Sequence, residues 1–290
     1  MEADRGGLRM NDVWFNGYGH LAKMLGPDKG MLGAEQGERF SALILKSKLP
    51  WNKWQNGNAI VIPDQGALPE QTLPGGLKIT LLSPTRGGLS TLATSWAKEL
   101  KAKGIAPGAG LDPESFLGGG GAKPTDEEFS DSVDVDKLAE EPFTSDDAPN
   151  NGSSIAVLVE FDGKSLLLAA DAHPPVVEAS IRRLLDVRGG KRLAVDALKV
   201  AHHGSHGNTS PELLDLLDCP RYLISTNGKK FSHPHRVTIG RIIKHAGRGC
   251  ELLFNYRVKV NEVWAREDLQ TRYRYRATYP KSAEGLLVRL

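Results

Sequence analysis

Leu198-Lys199-Val200-Ala201-His202-His203-Gly204-Ser205 decides the reading of this chain: a short apolar run that ends in two adjacent imidazoles, a glycine and a hydroxyl. Paired histidines at a strand terminus, followed by small residues, form a compact loop suited to metal ligation or proton transfer. Upstream, Ser165-Leu166-Leu167-Leu168-Ala169-Ala170 reads as a second buried strand, and it ends in Asp171-Ala172-His173. Two such strands side by side bring a carboxylate and an imidazole pair to one sheet edge.

Working outward, 155–161 and 165–170 flank Asp162-Gly163, the signature of a two-residue hairpin. Pro174 and Pro175 open a helix through Val187, with Val177, Ile181, Leu184 and Leu185 on its inner side. Ser210-Pro211 supply an N-cap and first-turn proline for a helix running towards Cys219-Pro220. Strand 222–225 leads to a second histidine loop, Ser232-His233-Pro234-His235, and a helix follows over 237–245. Strand and helix thus alternate, with each polar cluster at a strand's C-terminal end, where open α/β sheets gather their active sites.

The first hundred residues are less regular. Strands are predicted at 12–16, 59–62 and 77–82, and helices at 33–48 and 89–103, the second stopping at Gly104. Trp51 and Trp54 read as exposed. Residues 105–150 hold four consecutive glycines, Gly118 to Gly121, and an acidic run with few apolar anchors; they read as a disordered insertion. The domain organisation predicted is an N-terminal part over 1–104, the insertion over 105–150, and a C-terminal part over 151–290.

Composition bounds the function class. The 290 residues are 40% hydrophobic and 25% charged, the balance of a globular chain, and no apolar run approaches the roughly 18–20 residues that span a bilayer. Cys219 and Cys250 are the only cysteines and read as reduced structural thiols, so the expectation is a cytoplasmic protein without a membrane anchor. A net charge of +2 hides an asymmetry: residues 111–147 carry twelve acidic side chains and two lysines, leaving 23 acidic against 35 basic elsewhere. Such a body attracts anions, phosphate-bearing substrates among them.

Asn150-Asn151-Gly152-Ser153-Ser154 before a strand pair, Leu166-Leu167-Leu168-Ala169-Ala170-Asp171, the Leu198–Ser205 stretch and Ser232-His233-Pro234-His235 together resemble the metallo-β-lactamase fold superfamily. The nearest branch is the one that includes the hydrolase domain of the bacterial competence DNA-uptake channel. The resemblance implies an α/β fold, the four-layer αββα sandwich, and two divalent metal ions, zinc or manganese, at its edge. It also implies a metal-dependent hydrolase in which metal-bound hydroxide attacks a small-molecule ester or phosphodiester, nucleic acid included. Asp171 matches the bridging carboxylate, and one of His202 and His203 the late histidine ligand. As metal ligands the candidates are Asp171, His202 and His203; as catalytic groups His203, His233 and His235; as substrate contacts Ser205 and Asn227. His20 and His245 are read as structural.

One part of the pattern is missing. The superfamily's H-x-H-x-D-H loop, which supplies most ligands of both metals, has no counterpart here, and the first histidine, His20, stands alone. The sandwich is therefore expected to be truncated at its N-terminus and its metals incompletely bound. A reading frame that starts late accounts for this; a member that has lost the chemistry is the other account. The rival function is a non-catalytic module that binds an anionic or nucleic-acid partner. Thr271–Tyr279 bears on it, because strict alternation would place Arg272, Arg274 and Arg276 on one face of a strand.

Overall fold

A computed structural model describes residues 9–25, 35–103, 132–229, 231–247, 249–282 and 285–290. In chain order the elements are α1 (Tyr18–Leu25), α2 (Glu35–Lys46), β1 (Glu70–Thr72), β2 (Lys78–Leu81), α3 (Arg86–Lys103), α4 (Val135–Glu140) and α5 (Pro149–Gly152). There follow β3 (Val157–Phe161), β4 (Lys164–Leu168), α6 (Pro174–Arg188), β5 (Leu193–Ala194), β6 (Ala197–Lys199), α7 (Pro211–Asp215) and β7 (Leu217–Asp218). The last are β8 (Arg221–Ile224), α8 (Arg236–His245), β9 (Glu251–Phe254), α9 (Glu267–Tyr273) and β10 (Arg276–Thr278). The fold is mixed α/β.

The chain divides into two compact units that do not follow the linear order. One holds α1, α2, α3 and α5, packed around Leu21, Leu89, Leu92, Trp96 and Leu100. Here the strands predicted at 12–16 and 59–62 are reduced to single bridges, Val13 to Trp51 and Ile62 to Thr85. Side chains satisfy the backbone instead: Asn16 exchanges hydrogen bonds of 2.7 and 2.8 Å with Ile60, and Asn52 accepts from Phe15 N at 2.9 Å. Trp51 and Trp54 are half-buried rather than exposed; Trp54 stacks on Trp14 with ring centres 4.6 Å apart.

The other unit is built on an eight-stranded sheet, in the order β1-β2-β3-β4-β6-β8-β9-β10. From β1 to β4 the pairing is antiparallel, and from β4 onward it is parallel. Asp162 and Gly163 close the β3–β4 hairpin with φ of 49° and 71°, the left-handed pair a type I′ turn needs. Helices α6, α7 and α8 connect successive parallel strands, as parallel pairing requires. In α6, Val177, Ile181, Leu184 and Leu185 are buried at helical spacing. Beside the large sheet there is a two-stranded parallel ribbon, β5 with β7. The described residues therefore contain one large sheet, where an αββα sandwich stacks two. The helix predicted to reach Cys219 ends at Asp215, because Leu217 and Asp218 pair with Leu193 and Ala194.

Two further expectations are corrected. Of the predicted insertion, 105–131 lies outside the described residues, but 132–150 is ordered. Asp134 caps α4 by accepting from Lys137 N at 3.1 Å, and Val135 is fully buried. Helix α4 lies so close to α8 that a Cβ on Gly240 would stand 2.8 Å from Leu138 Cβ. Gly240→Leu is accordingly expected to push α4 away and lower stability by about 1–3 kcal/mol, read by chemical denaturation. The alternating strand at 271–279 is also absent: 271–273 finish α9, and only 276–278 are extended. Arg272 and Arg276 lie near Asp136 (3.6 Å) and Glu251 (3.8 Å), so they form no arginine row along a strand.

Candidate active site

The C-terminal ends of β4, β6 and β8 meet in a cluster of five imidazoles. Ring centres of His202 and His233 are 5.4 Å apart, His202 and His203 6.2 Å, His203 and His233 6.5 Å, His233 and His235 4.6 Å, and His206 and His235 4.7 Å. Four of these were expected from the sequence; His206 was not, although it sits four residues beyond His202 in the same loop.

The loop is held in an unusual backbone state. His202 (φ 42°) and His203 (φ 57°) both adopt the left-handed region, which costs a non-glycine residue of order 1–3 kcal/mol. Surrounding bonds hold them there: His202 N donates to Ala170 O at 2.9 Å, and His235 N donates to Gly204 O at 3.0 Å. The first bond ties the end of β6 to the end of β4; the second joins the two histidine loops.

Heavy-atom partners fix the ring protons. Ser225 O can only accept, so His203 Nδ1, 2.6 Å away, carries its proton and Nε2 keeps its lone pair. Asn208 Nδ2 donates to Asp146 Oδ2 (2.8 Å) and to Asp171 O (3.2 Å), which turns its Oδ1 towards His202 Nδ1 at 3.0 Å. His202 is thereby also an Nδ1–H imidazole. His235 is the reverse: its Nδ1 accepts from His206 N at 3.0 Å, so in the neutral ring Nε2 holds the proton. His206 Nδ1 lies 2.9 Å from that same nitrogen.

Burial keeps two of the five rings uncharged. Burial, reinforced by the neighbouring histidines, depresses the His233 pKa to about 3. His235 falls to about 4, through burial first and His206 next, with a hydrogen bond to the Phe231 backbone acting the other way. His233 and His235 are therefore neutral near neutrality.

The remaining sequence candidates are placed as follows. Asp171 ends the β4 segment and contributes its carbonyl to the network through Asn208; it also lies near enough to Lys199 to oppose the burial that lowers the lysine's pKa. Ser205 N donates to His202 O at 2.9 Å, closing the turn. Asn227 is exposed, and its Oδ1 accepts from Lys229 N at 3.1 Å. His20 is buried against Trp51, and His245 pairs with Asp215 at 2.9 Å, both structural positions. Cys219 and Cys250 are buried free thiols whose pKa values burial raises to about 11 and about 12. Among the described residues no three His, Cys, Asp or Glu side chains converge in a geometry that could hold a metal ion.

Three groups around the site carried no recognisable sequence signal. Asp146 belongs to the acidic run, Asn208 to an ordinary Gly-Asn-Thr turn, and Arg241 to the interior of α8. Arg241 is 1% exposed and donates to His206 O at 2.7 Å and to Glu141 O at 3.2 Å.

No protein-family model matches this chain, and no solved structure matches it. Among curated proteins it is similar to ComE operon protein 3 of Bacillus subtilis (strain 168), 29% identical over 109 residues. The aligned part covers 37% of this chain and 13% of that protein. No helix among the described residues is long and apolar enough to cross a membrane.

Proposed function

We propose that this chain is a hydrolase of the metallo-β-lactamase type, acting on an ester or phosphodiester, with the histidine cluster as its reacting centre. The observation that carries the reading is the opposite proton placement within one cluster. His202 and His203 have Nε2 lone pairs, whereas His235 has an Nε2 proton. The similarity to ComE operon protein 3 supports the same branch of that superfamily.

The resemblance would assign zinc or manganese to Asp171, His202 and His203. The described side chains do not converge as such a centre demands. What the residues themselves do is hold and move protons. His203 Nε2 accepts a proton from an attacking water while Ser225 O keeps Nδ1–H oriented. In this reading His235 gives the leaving oxygen the Nε2 proton that it otherwise shares with the Phe231 backbone. Neutral His233 between them adds no competing charge. Such paired proton transfer contributes roughly 10²–10⁴-fold.

The test uses bis(p-nitrophenyl) phosphate beside p-nitrophenyl acetate. His203→Gln should reduce kcat/KM by about a hundredfold or more on the accepted substrate while leaving the melting temperature near that of the wild type. Equal rates in the two proteins would overturn the assignment, leaving a non-catalytic anion-binding module as the reading to pursue.

A further inference from the structure

We infer that Asp146 is a positioning residue, which sets the proton location and orientation of His202 through Asn208. The inference rests on the hydrolase reading for its catalytic consequence, but not for its structural content.

The geometry is a three-member chain. Asp146 Oδ2 accepts from Asn208 Nδ2 at 2.8 Å, and Asn208 Oδ1 faces His202 Nδ1 at 3.0 Å. The same carboxylate oxygen lies 3.5 Å from His202 Nδ1. Asn208 is 1% exposed and the Asp146 side chain 13%, so water competes poorly for these bonds. An amide can turn over and exchange its oxygen and nitrogen. A carboxylate on one side of it, with the Asp171 carbonyl 3.2 Å from the same nitrogen, fixes which end faces the histidine. With the amide so fixed, His202 must present a proton at Nδ1 and a lone pair at Nε2. A partner of this kind holds an imidazole in one tautomer and one orientation.

Asp146 reaches this place because the segment after α4 is fastened across the loop. Arg241 donates to the carbonyls of Glu141 (3.2 Å) and Pro142 (3.4 Å) from one nitrogen and to His206 O (2.7 Å) from another, and its guanidinium covers the Phe143 ring at 5.2 Å. Asp146 N then donates to Gly207 O at 2.9 Å. Gly207 permits that approach: a Cβ there would lie 3.0 Å from Asp146 N and 3.2 Å from Thr144 O. One arginine thus binds both the segment that supplies the carboxylate and the loop that receives it.

The experiment compares wild type, Asp146→Asn, Asn208→Ala and the double variant. The first readout is the ¹⁵N signature of the His202 ring in long-range ¹H–¹⁵N spectra at pH 8, assigned by its disappearance in His202→Gln. Wild type should show a protonated Nδ1 and an unprotonated Nε2, and Asp146→Asn should shift both nitrogens towards an averaged signal. Kinetically, Asp146→Asn should lower kcat by about tenfold or more with KM within about twofold, Asp146→Glu should recover part of the loss, and the Asp146→Asn and Asn208→Ala losses should not add. A wild-type His202 spectrum in Asp146→Asn would overturn the inference. Should that variant fail to fold, an unchanged His202 spectrum in Asn208→Ala, which leaves the Arg241 bonds in place, would overturn it equally. If the spectrum changes but wild type turns over no ester or phosphodiester, the positioning role stands and the hydrolase reading falls.

Discussion

Gly204→Ala is expected to collapse the histidine cluster. Gly204 has φ of +89°, and a Cβ at that position would lie 2.6 Å from Pro234 Cβ and 3.2 Å from its Cα. The obstacle is a rigid ring and its backbone, which cannot swing aside as a lysine tip would. Relief requires the two histidine loops to part, breaking the 3.0 Å bond from His235 N to Gly204 O. The same movement removes the support for left-handed His202 and His203. Left-handed strain and steric overlap together should cost about 3–5 kcal/mol, and hydrolysis should fall at least as far as in His203→Gln. Denaturation midpoints check the first part. A Gly204→Ala protein as stable as wild type would contradict the packing described for the loops.

Acid sensitivity is the second large effect, and its sign follows from burial. His233 and His235 titrate at about 3 and about 4 in the folded chain against an ordinary 6.5. Between pH 6.5 and those values the unfolded state binds more protons, so stability is full above pH 6.5 and declines on acidification. Each fully buried group can contribute up to about 1.4 kcal/mol per pH unit, less where water reaches the ring. His20, also lowered by burial, acts in the same window. Carboxylates held low by basic neighbours, such as Glu70 beside Lys78 and Arg188, lose their contribution only at lower pH. The comparison that isolates the cluster is melting temperature from pH 7 to pH 5 for wild type and His233→Gln. The wild-type curve should fall more steeply; parallel curves would mean that His233 is not held neutral by its surroundings.

Much of the parallel half of the fold was legible because its signals are local and agree. Asp162-Gly163 specifies a turn, Pro174-Pro175 opens α6, and the apolar positions of α6 repeat at helical spacing. The His202/His203 and His233/His235 loops could be placed together because each follows a strand of one sheet. What escaped was set by distant partners. Residues 132–147 look unanchored in sequence, since their anchors are Gly240 and Arg241 on α8. The Arg-Tyr alternation at 272–276 suggested a strand, yet Glu267 and Asp268 at the N-terminus of α9 and the buried Leu269 favour a helix there. At 12–16 and 59–62, asparagine side chains occupy backbone groups that strand pairing would have used.

The measurement that bears most directly on a hydrolytic histidine site is release of p-nitrophenol from bis(p-nitrophenyl) phosphate and p-nitrophenyl acetate by the wild-type chain beside a His202→Gln/His203→Gln variant of matched stability. The account predicts turnover of one of these substrates by wild type and its loss in the double variant. Turnover of neither by wild type, or identical rates in both proteins, would contradict it.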